Sequence, residues 1–132
     1  MELFILLLDQ NDKLTKAGQL LLGGIKSRIG FKEDDMKDFA AQFLYWKEKV
    51  ALTAEHYKKY SSWLEEEVDK RTEAVVGGGY RKSYYKAAVL ITALGEILES
   101  NGKLNGRMVV IDHYKKLHPR KRAFKAEFDK FL

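Results

Sequence analysis

Six cations crowd the C-terminal stretch of this chain: Lys115, Lys116, Arg120, Lys121, Arg122 and Lys125 surround His118-Pro119, with Tyr114 and Phe124 interleaved. Such a density can neutralise several phosphates or meet an acidic protein surface, and its bland alternative is a solvated helical face. Charge alone gives salt-sensitive, sequence-blind attraction. A helix-turn-helix does not support nucleic-acid reading here, because the link from Glu99 to Arg107 exceeds the usual three- or four-residue turn. A second cluster, Gly77-Gly78-Gly79-Tyr80-Arg81-Lys82-Ser83, puts a flexible backbone, two cations and a hydroxyl at the start of an expected helix. Backbone N–H groups and the helix dipole favour an anion there. The order G-x-x-x-x-G-K-[ST] is absent, so the stretch is not a P-loop, and a plain interhelical turn accounts for it equally.

Other chemistry is disfavoured by residue type and spacing. His56, His113 and His118 include no i,i+4 pair that would bring two imidazoles to one zinc ion. Glu65, Glu66, Glu67, Asp69 and Glu73 form an acidic run, but no His stands three residues after a Glu as a di-metal bundle requires. With Lys70 and Arg71 four residues beyond Glu66 and Glu67, the run reads as a face laced with i,i+4 pairs. Asp9-Gln10-Asn11-Asp12 lacks the glycine and final glutamate of a calcium loop and reads as a turn. Zero Cys removes disulfides, thiol nucleophiles and the common structural zinc sites. No nucleophile elbow is present for a serine hydrolase. The expectation is therefore no metal, no cofactor and, on balance, no enzyme.

One catalytic pattern is present. Arg107-Met108-Val109-Val110-Ile111-Asp112-His113 resembles the Arg-x(4–6)-His motif of the HEPN superfamily. That resemblance implies a helical bundle with metal-independent ribonuclease activity, and it casts Arg107 and His113 as the phosphate-binding and proton-transfer pair. A guanidinium and an imidazole suit that work near neutral pH. The polar residue that usually follows the Arg is Met108 here.

These side chains have to be positioned by a chain of 132 residues with 45% hydrophobic and 33% charged residues, enough for one domain, 1–132, and one core. The periodicity predicts an all-α fold, a helical bundle or stacked antiparallel helical hairpins of TPR-like kind, with five to seven helices. Between Asp34 and Val76 no Gly or Pro interrupts apolar residues at helical spacing, which leaves open one long helix or two joined near Leu52 to Thr53. Asp34 or Asp35 suits its start and Gly77 its left-handed end. Ser83 to Asn101 is apolar on so much of its circumference that it should be the central helix, with Ser83 as cap and Asn101-Gly102 as stop. Leu14 to Ile29 is helical with a weak point at Gly23-Gly24, and Met108 to Leu117 is helical too. Pro119 suits the first turn of a last helix carrying Phe124, Phe128 and Phe131. The apolar run Leu3 to Leu8 is too short to span a membrane and lacks a cleavage site, and reads as a buried helix or, less well, a strand. It suggests a piece of a longer protein. Charge is polarised: residues 1–79 hold 12 Lys and Arg against 14 Asp and Glu, whereas residues 80–132 hold 12 against 5.

From Trp63 onward the order of features resembles the C-terminal helical-repeat region of bacterial proteins with a SWIM-type zinc finger. The residues concerned are Glu67 to Arg71, Gly78 to Ile91 and Tyr114 to Phe124. The resemblance implies a stack of helical hairpins serving as scaffold beside a separate functional module. The resulting expectation is a cytoplasmic scaffold or protein-interaction module that meets a protein partner or acidic surface. Its binding residues are Tyr80, Arg81, Tyr84, Tyr85, Lys115, Lys116, Arg120, Lys121 and Arg122. A nucleic-acid-associated role or a HEPN-like ribonuclease is the alternative. No membrane association is expected, and homo-oligomerisation stays open.

Overall fold

The computed structural model describes residues 1–10, 14–28, 36–50 and 52–131. Among them the chain forms seven α-helices and no strand: α1 (Glu2–Leu8), α2 (Lys16–Arg28), α3 (Met36–Lys49), α4 (Ala54–Thr72), α5 (Tyr84–Ser100), α6 (Gly106–Leu117) and α7 (Arg122–Glu127). A π-helical turn (Glu73–Gly77) and a 3-10 turn (Arg81–Ser83) link α4 to α5, and a 3-10 turn (Phe128–Phe131) follows α7. The fold is an all-α helical bundle. No helix among the described residues is long and apolar enough to cross a membrane.

The apolar run near the N-terminus is helix α1, with Ile5, Leu6 and Leu8 buried. The breaker-free stretch is two helices. Thr53 divides them by a reciprocal cap, its Oγ1 accepting from the His56 N–H at 3.1 Å while its own N–H donates to His56 Nδ1 at 3.4 Å. The proposed start at Asp34 or Asp35 lies outside the described residues, as do Ile29 and part of the Asp9–Asp12 turn. α2 runs unbroken through Gly23-Gly24.

α5 is the axis of the bundle. Tyr84 and every residue from Ala87 to Ile97 are buried, with Ile91 and Ile97 at 0% exposure. A fully buried Leu or Ile side chain contributes roughly 1.5–3 kcal/mol, so this helix carries much of the stability. Around it one apolar cluster gathers Leu22 of α2, Leu64 and Val68 of α4, Ile111 of α6, Phe124 of α7 and Phe128 of the 3-10 turn after it. The closest approach is between α5 and α6. A methyl at Gly95 would lie 2.6 Å from the Arg107 Cα, and one at Gly106 2.8 Å from the Glu99 nitrogen. Only hydrogen at these positions lets the two backbones touch.

Helix ends depart from the sequence reading in three places. α5 ends at Asn101-Gly102 as expected, Gly102 having φ 103° and Asn101 Nδ2 donating to the carbonyls of Ile97 and Leu8. At the other glycine cluster, however, Gly77 ends a π-helical turn and Gly79 takes the left-handed conformation, at φ 75°. Ser83 precedes α5 without a side-chain cap, because the 3-10 turn already occupies that position. Pro119 does not open the last helix. The Lys121 N–H bonds the His118 carbonyl at 3.2 Å, forming a turn that delays α7 to Arg122.

Candidate functional site

Two clusters separated by some forty residues meet at one edge of the bundle. The Gly79 turn lies against the turn before α7, where a methyl on Gly79 would be 3.9 Å from Lys121 Nζ. Aromatic contacts hold the junction. Tyr84 is buried and meets Phe124 edge-on at 6.0 Å between ring centroids, and His118 meets the same ring at 5.7 Å. On the two segments Tyr80, Arg81, Lys82, Arg120 and Arg122 are exposed, and Lys121 is half-buried. Tyr80 is 66% exposed. Of the four residues expected near the glycine turn, Tyr84 is thus a core anchor. Tyr85, exposed one position later, instead lines a groove between α2, α4 and α5. Lys115 sits with its Nζ 5.7 Å from the Phe128 ring, and Lys116 is exposed on α6.

Arg107 and His113 do not converge. Arg107 points to the C-terminal turn, its Nη1 donating to the Phe131 carbonyl at 3.3 Å. Its charge also acts on Glu96, a residue only 7% exposed. Burial pushes the Glu96 carboxyl above its usual range, opposed by the Thr15 hydrogen bond and Arg107 and reinforced by Asp9 and Glu99. Thr15 does two jobs: its Oγ1 accepts from the Gly18 N–H at 3.0 Å, closing the start of α2, and donates to Glu96 Oε2 at 2.6 Å. The unit fastens α2 to α5.

His113 lines a different place, a cavity of about 300 Å³ between α4 and α6, which Arg107 does not line. Its floor is Leu94, Leu98 and Val110, and Glu65, Asp69 and Lys103 stand around it. Tyr114 Oη donates a hydrogen bond to Asp69 Oδ1. Burial, that bond and the charges of Asp69 and Glu65 push the phenol far above its usual range, so it stays a neutral donor. Sequence reasoning placed Asp69 on a solvated acidic face and missed this pair. The available signal was Tyr114 falling in step with the apolar stripe of α6. Within the acidic run, Lys70 meets Glu67 at i,i+3 and 3.5 Å, rather than Glu66 at i,i+4.

Comparison with protein-family models, with curated proteins and with solved structures finds no match to this chain. The resemblance to SWIM-type zinc-finger proteins is corrected accordingly. No group of three or more His, Cys, Asp or Glu among the described residues is placed to hold a metal ion, the chain has no Cys, and no zinc-finger motif is evident. What stands is an all-helical bundle without a catalytic cysteine or, among the described residues, a metal cluster.

Proposed function

We propose that this protein is a non-enzymatic interaction module of the cytoplasm, acting as a single domain, whose basic edge binds an acidic protein surface. The carrying observation is the apposition of Gly79 with Lys121, which merges two basic segments into one surface. Tyr80 and Arg81 on one segment and Arg120 and Arg122 on the other are exposed, and aromatic and arginine side chains supply large contacts at interfaces. Packing of α1 through Phe128 into one apolar cluster supports the single domain. The cysteine-free composition suits a reducing compartment.

The test compares a labelled polyglutamate peptide with single-stranded RNA of equal length, each titrated at low and physiological salt. Wild type should prefer the peptide, and the double variant Arg81→Glu/Lys121→Glu should weaken it about tenfold with unchanged helicity. Tighter, steeply salt-dependent RNA binding would move the protein to the nucleic-acid class. Binding to neither would end the proposal.

A further inference from the structure

Helix α6 turns one side to the core and keeps apolar residues on the other. Val109 is 46% exposed and Leu117 56%, with the exposed His113 midway between them. At intervals of four residues the three form one stripe along the helix. The stripe borders the cavity between α4 and α6, which Val109 and His113 line above a floor of Leu94, Leu98 and Val110. Leu117 lies about 80° round from Val109, on the side of Val110 and Tyr114 that faces α4. An apolar rim and an apolar hollow therefore stand side by side on one surface.

Charge on the same face selects what covers it. Asp112 and Lys116 are exposed on the flank of the stripe away from α4. They have the i,i+4 spacing of an intrahelical ion pair, yet among the described residues no ion pair joins them. Their order along the helix is acid first, base second. A second α6 laid alongside in the same direction would set Asp112 level with Asp112 and Lys116 level with Lys116. Laid in the opposite direction, about a two-fold axis at His113, it sets each Asp112 within about 3 Å, measured along the helix, of the second copy's Lys116. Symmetry makes that pairing twice. The same rotation brings each Leu117 level with the second copy's Val109, on the α4 side, where the cavity lies.

We propose that α6 packs antiparallel against α6 of a second copy of this chain, in a two-fold dimer that seats Leu117 of each copy in the cavity between α4 and α6 of the other. One surface supplies both knob and hollow and both acid and base, which is the self-complementarity an isologous contact requires. The contact is small. The formal net charge of +5 on each copy also opposes approach at long range, and physiological salt, with a Debye length of about 8 Å, screens that repulsion more than it screens the close pairs. The dimer is accordingly weak and reversible.

The test is sedimentation equilibrium of the full chain in about 0.15 M salt, over concentrations from about 10 μM to about 1 mM. Wild type should follow a monomer–dimer equilibrium. Leu117→Glu sends a carboxylate into the apolar hollow and should weaken the dimer about tenfold or more, with helicity unchanged because the residue is exposed in the single copy. Asp112→Lys sets lysine against lysine across the axis, and Lys116→Glu sets acid against acid. Each should weaken the dimer about tenfold, whereas the double variant Asp112→Lys/Lys116→Glu exchanges the two signs and should restore it to within about threefold of wild type. The Arg81→Glu/Lys121→Glu variant should dimerise within about twofold of wild type, so loss of the dimer and loss of peptide binding at the basic edge are separate results. A chain that stays monomeric, an assembly that grows past two copies, a dimer undiminished in Leu117→Glu, or a double variant no better than its singles would each overturn the proposal. If Leu117→Glu does not fold, the concentration series and the charge exchange decide, and failure of either refutes it.

Discussion

The cavity between α4 and α6 and the groove between α2, α4 and α5, about 300 and 350 Å³ in volume, share two of their walls, yet they are lined differently. In the first, α4 presents Glu65 and Asp69, and α6 answers with Tyr114, whose hydroxyl is bonded to Asp69. In the second, α4 presents Arg71 and α5 presents Lys86, over aliphatic side chains and an empty glycine position. The difference lies in what each region leaves in water. A donor and acceptor that complete each other form a closed seam, whereas the groove keeps part of its apolar wall, Leu20 and Tyr85, in contact with water.

The largest effect should come from breaking what both regions share. Gly95→Ala sets a methyl 2.6 Å from the Arg107 Cα, and because the obstacle is backbone, the helices must separate. We expect a loss of about 3 kcal/mol or more. Urea unfolding should show it as a lower midpoint. A loss below about 1 kcal/mol would mean that α5 and α6 do not touch as described.

Tyr114→Phe addresses the α4–α6 side alone. The ring keeps its place, the hydroxyl is lost, and Asp69, being exposed, regains water. The expected cost is about 1 kcal/mol, measured by the same unfolding experiment. No loss would mean that water serves Asp69 and the hydroxyl as well as they serve each other.

How far these regions were legible in the sequence follows from the range of the forces that make them. α5 was readable because its apolar residues occupy nearly the whole circumference, and Asn101-Gly102 marks its end by a local conformational need. The division at Thr53 was visible only as a choice, settled by a cap between Thr53 and His56. Pro119 misled because its fixed φ suits a helix start equally well as the turn it occupies. Arg107 and His113 stand six residues apart, which at about 100° per residue puts them about 120° apart around α6; the structure sends them to different neighbours. Tyr84 and Tyr85 part for the same reason, one into the core and one to the groove. The groove was not legible at all. Gly24 reads in sequence as a weak point in a helix, and its meaning depends on where α4 and α5 leave space.

The smallest effect concerns Glu96, the buried carboxyl on α5 beside neither cavity, and asks whether internal satisfaction there is by a neutral acid or an ion. Burial, the leading cause, raises its folded-state pKa above the ordinary value of 4.5. The native state therefore holds this proton more tightly than the unfolded chain does, so the stability it contributes falls as pH rises from about 4.5 through the raised folded value. Glu96→Gln keeps an oxygen to accept from Thr15 and removes the charge. At pH 4 the variant and wild type should melt together, whereas at pH 7.5 the variant should melt higher by about 2 °C. The opposite sign at pH 7.5 would mean that attraction to Arg107 outweighs burial. Glu96 would then be an ion satisfied by its partner, as Asp69 is by Tyr114, and internal pairing would extend along α5 from the α4–α6 seam to the α2 cap.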